Sequence, residues 1–194
     1  MQLRIAHPAW LAGWLLIWAA PAQAASGDAD GTYTVTITRL EASTNGGTTY
    51  TTIFSGSQAV NIASVSAGAT VAGLASGVSL EAGTYNTIRV TLDSSLLLRG
   101  YVNNGGTTIF TNGGTDGAGF STNTNAANTP GSTYAISTFT IPEASRTATI
   151  TGLSITLVKD ANTTVTVKFD TSGVLTQTGG VPSVGAPSVS VTSS

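Results

Sequence analysis

The sequence predicts an all-β protein, a single antiparallel β-sandwich preceded by a signal peptide, and three observations carry that expectation. The 194 residues include 34 Thr and 21 Ser, while only 8% are charged. Typical soluble domains carry about 25% charged residues, and helix surfaces need charged and straight-chain side chains. Thr, Val and Ile instead fit the pleated surface of a sheet. Second, apolar and polar residues alternate with a period of two in several runs, the signature of half-buried strands. Third, the chain opens on a short apolar segment unlike anything that follows.

That segment has the three parts of a secretory signal. Arg4 supplies the positive charge, Pro8 to Ala20 (PAWLAGWLLIWAA) is apolar, and Ala22-Gln23-Ala24 is a small-residue cleavage site. The apolar run is too short for a comfortable membrane span of about 20 residues. Cleavage after Ala24 is expected, with no membrane span left in the product. All three Trp, the single His and the single Met lie before that point, and the chain has no Cys. Six basic groups then face nine acids, a formal net charge of −3 obtained by subtracting Arg4 from the seven Lys and Arg. That balance is the opposite of a nucleic-acid footprint.

Residues 25–31 (ASGDADG) read as a flexible leader, and 32–192 as the domain. Thr32 to Ala42 alternates, with Tyr33, Val35 and Ile37 on one face and Thr34, Thr36 and Thr38 on the other. Asn45-Gly46-Gly47 is a turn, and Thr48 to Ser55 completes a hairpin. Gln58 to Val65 is another short strand, with Val60 and Ile62 in phase. Ser66 to Gly77 is ambiguous between loop and strand. Thr84 to Asp93 follows, with Ile88, Val90 and Leu92 opposite Arg89 and Thr91; Leu96 to Leu98 forms an apolar patch. Residues 103–133 read as a long Asn/Gly-rich loop, with TTIF (107–110) between two Asn-Gly pairs as a possible hairpin. Strands resume at Tyr134 to Ile141, at Thr147 to Lys159, read as two strands or as one strand with a bulge at Gly152, and at Thr163 to Asp170. The Pro-containing tail ends in an alternation of Val189 and Val191.

The stretch Leu80 to Leu92 (LEAGTYNTIRVTL), after an opening strand like TVTITRLEA and before VTVKFDTSG, resembles a bacterial family of domains of unknown function. The resemblance implies a secreted or surface-attached domain with an immunoglobulin- or transthyretin-like β-sandwich, and it supplies no catalytic residues to transfer. Many relatives look like lipoproteins; the lipid-bearing Cys is missing here. Within the motif, Gly83 and Tyr85 read independently as a structural corner. Gly83 makes the turn, and the Tyr85 phenol hydrogen-bonds back across it, as in the tyrosine corners of sandwiches. Arg89 reads as a solvated or ion-paired sheet residue, with Glu41 or Asp93 as partner.

Catalysis finds little to work with. Nucleophilic triads and zinc sites need His or Cys, and the carboxylates are scattered singly. No catalytic, cofactor or metal residue is therefore expected; Asp28-Ala29-Asp30-Gly31 resembles only a fragment of a calcium loop. The expected function is a non-enzymatic, exported structural or surface-interaction domain, periplasmic or at the cell surface. Its partner would be itself, through strand exchange with Val189 and Val191 on the donor strand, in a filament, matrix or adhesin. The alternative is a module binding a glycan or cell-envelope ligand through Tyr101, Phe110, Phe120 and Tyr134, the aromatic residues of the loop region.

Overall fold

The computed structural model describes residues 25–63, 80–104, 106–123, 135–158, 165–178 and 181–193. Among these there is no α-helix; two short 3-10 turns, Asp116–Gly119 and Glu143–Ser145, are the only helical elements. Twelve strands make up the rest: β1 (Ala25–Gly27), β2 (Ala29–Ser43), β3 (Thr51–Asn61), β4 (Gly83–Asn104), β5 (Thr107–Thr111), β6 (Phe120–Asn123), β7 (Ser137–Thr140), β8 (Thr147–Leu157), β9 (Val165–Asp170), β10 (Leu175–Thr178), β11 (Val181–Val184) and β12 (Ser188–Ser193). Among the described residues every pairing between these strands is antiparallel, and two isolated bridges, Asn112 to Ala135 and Thr115 to Thr138, are parallel. The expected all-β class is what forms.

The organising element is β4, 22 residues long. One of its edges is paired with β2 from Thr87 to Gly100. The other edge is shared in succession by β8, β7 and β5. The expectation of a strand at 84–93 followed by a separate apolar patch is therefore corrected. Leu92 and Leu96 belong to one strand, and Ile88, Val90, Leu96, Leu98 and Val102 all face inward. The even numbering of these five residues is the period of two, sustained across the polar Asp93-Ser94-Ser95 step. The expected hairpin strand 48–55 and the run 58–65 likewise fuse into β3. Its register against β2 slips twice, between Ile37 and Arg39 and between Leu40 and Glu41. Such bulges insert an extra residue without ending a strand. The bulge expected at Gly152 is present: Tyr85 pairs with Ile155 but Thr87 with Thr151, and Gly152 has φ 73°.

Two small sheets, β1-β10-β11 and β12-β9, accompany the large one. Val174 and Leu175 belong to the same buried cluster as Tyr33, Ile37, Leu98 and Val102 of the large sheet. Burying that apolar surface, at about 25 cal/mol per Å², is the main stabilising term. Two glycines permit the close crossing. A Cβ on Gly27 would overlap the Tyr101 carbonyl, and one on Gly100 would overlap Leu175 and sit 2.8 Å from the Asp28 carbonyl oxygen. Tyr33 ties the layers again: its hydroxyl donates to the Gly185 carbonyl at 2.9 Å. Burial pushes that phenol up to about 12.

Two expectations change with this architecture, and the tail finds its place in it. Residues 25–31 form β1 and the start of β2, where a flexible leader was expected; Ala25 pairs with Gln177 and Gly27 with Leu175. The expected 103–133 loop contains β5 and β6, and its 112–119 segment is knotted down by a polar centre. The buried Ser137 hydroxyl accepts from the Asn112 and Gly113 amides at 3.1 and 3.0 Å and donates to the Gly119 carbonyl at 2.7 Å. The segment is held by hydrogen bonds in place of large apolar side chains. The tail, expected as a donor strand, is β12 and pairs within its own chain. Val189 stands opposite Phe169 and Val191 opposite Val167. The N-terminal apolar segment, the ambiguous run 66–77 and residues 124–134 lie outside the described residues.

Candidate functional site

The two halves of β4 present different chemistry on their outward side. In the first half, Glu41 of β2 lies directly opposite Arg89. The Arg89 Nε donates to Glu41 Oε2 at 2.7 Å, and Arg39 Nε lies 3.6 Å from Oε1. Glu41 is buried, 4% exposed. The hydrogen bond from Arg89, with the charges of Arg89 and Arg39 behind it, holds its carboxyl below the ordinary carboxylate range against the cost of burial. The Arg89 guanidinium also lies 3.7 Å above the centre of the Tyr50 ring, a cation–π contact. Glu41, one of the two partners expected for Arg89, is the one that pairs. At the start of the strand the Tyr85 hydroxyl donates to the Glu81 carbonyl at 3.0 Å, closing the expected corner. Gly83 opens β4 beside it.

The second half is open. Leu97, Arg99, Tyr101 and Asn103 follow at alternate positions, and all four are exposed. Leu97 and Tyr101 are each 41% exposed, and Ile136, just before β7, is 47% exposed. Ser137, which pairs with Leu98, directly follows Ile136. Arg99 is paired with Asp30 at 3.5 Å, with both side chains about half exposed. Where β1 runs into β2 across β4, an open cleft of about 350 Å³ is lined by Ser26, Asp28, Asp30, Tyr101 and Asn103. Asp28 is fixed there by accepting the Gly173 amide at 2.8 Å.

Of the aromatic residues expected to form a ligand platform, Tyr101 is the most exposed among those described, at 41%. Phe110 lies opposite Tyr101 in the β4–β5 register but is 4% exposed. Phe120 is partly buried, its ring 4.9 Å from that of Phe139 and tilted 36°. Tyr134 lies outside the described residues. Sequence reasoning missed Leu97, Asn103, Arg99 and Ile136 as neighbours of Tyr101. The alternation through 97, 99, 101 and 103 was the available signal for three of them. Asp28 and Asp30 were weighed only as a calcium-loop fragment. In the structure they line a cleft, and among the described residues no group of three or more acidic, His or Cys side chains gathers as a metal site.

Fold and site together define an antiparallel sheet domain with one ion-paired surface and one open, apolar-rimmed surface. The chain belongs to the family described as Domain of unknown function (DUF4382), whose model matches residues 23–181. No match was found among curated proteins or among solved structures. Among the described residues no helix is long and apolar enough to cross a membrane.

Proposed function

We propose that this chain is an exported, non-catalytic β-sandwich domain that works by binding, as a self-assembling structural or surface-interaction subunit. The observation that carries the reading is the character of β3. This strand is 11 residues long, TTIFSGSQAVN, without a charge or a proline. Most of it is exposed, and among the described residues only β2 pairs with it. Sheet proteins ordinarily guard such edges with Lys, Pro or short length. Here the two bulges are the only guard, and Gln58–Asn61 remains a regular run. A strand from a neighbour can add to an edge of this kind through main-chain hydrogen bonds. β12 is a suitable donor: among the described residues it pairs with β9 alone, and it follows Pro187.

Other features support the remaining parts of the reading. A sandwich accounts for one buried cluster shared by the large sheet and the small ones. Export accounts for the apolar run Pro8 to Ala20 and the small-residue site Ala22-Gln23-Ala24 that follows it. The absence of any His or Cys after Ala24 leaves no side chain titrating near neutrality by ordinary chemistry. Sedimentation of the purified chain over a wide concentration range tests the assembly. Oligomers should grow with concentration and diminish when Ser57→Lys and Ala59→Lys place charge on β3, or when residues 186–194 are removed. Monomers at every concentration would overturn self-assembly. A second reading, a module for a glycan or other cell-envelope ligand, is favoured by the cleft at Tyr101.

A further inference from the structure

We infer that the outward face of the second half of β4 is a binding site for a neutral glycan, with Tyr101 as the ring on which a sugar stacks. The inference rests on reading the chain as a binding domain and names the chemistry of one partner. Three large apolar side chains stand between 41% and 47% exposed: Leu97 and Tyr101 at alternate outward positions of β4, and Ile136 just before β7. Only Val158 and Val181 are the other large apolar residues this exposed among the described residues. Exposed apolar side chains interspersed with polar groups, as Arg99 is between Leu97 and Tyr101, suit a partner that is itself part apolar and part polar.

The rim selects the ligand. A sugar ring offers an apolar face of C–H groups and an edge of hydroxyls. The Tyr101 ring suits the first. The carboxylates of Asp28 and Asp30 and the amide of Asn103 suit the second, because a carboxylate has about four acceptor positions and an amide both donates and accepts. Each Asp is already oriented, one by the Gly173 amide and one by Arg99. One carboxylate offers more acceptor positions than these contacts use. Two acids against one Arg leave the cleft slightly negative, which disfavours acidic polymers and nucleic acid. The cleft's volume of about 350 Å³ falls at the small end of ligand sites, roughly 300–1,000 Å³. Its walls are strands pressed together at Gly27 and Gly100, so the groups are held in place before a ligand arrives.

Calorimetric titration of the chain as purified from the producing cell tests this, with cellohexaose, maltohexaose and tetra-N-acetylchitotetraose as neutral probes and oligogalacturonate as the anionic one. At least one neutral probe should bind. Tyr101→Ala should weaken it by about tenfold or more, the equivalent of 1.4 kcal/mol, while Tyr101→Phe stays within about twofold because the ring remains. Leu97→Ala, on the same face and exposed, should weaken it severalfold, and Val158→Ala should not change it. Circular dichroism shows whether each variant is folded. Failure of every neutral probe, binding of the anionic probe alone, or undiminished binding by both Tyr101→Ala and Leu97→Ala would overturn the site. Sedimentation of the same samples separates the two proposals: intact oligomers with no sugar binding refute only the glycan site.

Discussion

The two halves of β4 share one backbone, one partner strand in β2 and one inward stripe of aliphatic residues, yet their outward sides are finished differently. Around Arg89 the charges are tied together: the buried Glu41 carboxylate takes Arg89 on one oxygen and Arg39 on the other, and the Arg89 guanidinium lies over the Tyr50 ring. Around Arg99 the ion pair with Asp30 is solvated, and apolar side chains nearby stay exposed. Solvated pairs contribute little to stability. The first half therefore spends its charged residues on holding the sheet, and the second leaves an apolar surface that folding does not require. That contrast separates residues kept for the fold from residues available for recognition.

The sharpest way to break the comparison is within the second half itself. Leu98 is 0% exposed and Leu97 is 41% exposed, though they are adjacent. Leu98→Ala should cost about 3 kcal/mol, within the range for large-to-small changes in a core, measured by urea denaturation. In the first half, Glu41→Gln should cost about 1–2 kcal/mol, because a buried carboxylate loses its charge while Arg89, one-third exposed, keeps water as a partner. The sign of its pH dependence follows from the lowered carboxyl. The folded state holds the Glu41 proton less tightly than the unfolded chain. The stability it contributes is complete above the unfolded value of about 4.3 and is lost as pH falls through the lower, folded value. Urea midpoints between neutrality and strong acid should thus fall less in Glu41→Gln than in the unaltered chain.

A smaller effect is expected at the corner. Tyr85→Phe removes the donor to the Glu81 carbonyl and should cost about 1 kcal/mol, again by urea denaturation. The smallest belongs to Leu97→Ala, which should stay within about 0.5 kcal/mol of the unaltered chain. A large loss there would mean that the open face serves the fold after all.

Much of the fold was legible because a period of two survives wherever one face is buried. Tyr33, Val35, Ile37, Val60, Ile62, Ile88 and Val90 were read as inward from alternation alone, and each is buried. The Tyr85 corner and the Arg89–Glu41 pair were legible because a phenol after a glycine turn and opposed charges on neighbouring strands have few competing partners. The 112–119 knot was not legible, because Ser137 holds it with one hydroxyl and nothing in a Ser-rich chain distinguishes that Ser from its neighbours. The pairing of 25–27 with 175–177 was hidden for a different reason: it joins segments far apart in sequence, and local patterns carry no information about such partners. The same distance concealed the site. Tyr101 was identified from its ring, but Asp28 and Asp30 reach it only through the crossing at Gly27 and Gly100.

The pairing of β1 with β10 also dictates when folding can finish. The first described strand finds its partner only once Leu175 to Gln177 exist in the same space, and Tyr33 waits still longer for the Gly185 carbonyl. Contacts of such range make for slow folding. A polypeptide emerging from a ribosome or a pore, amino end first, can pair β2, β3 and β4 early but must leave β1 unmatched until residues 175–177 are free.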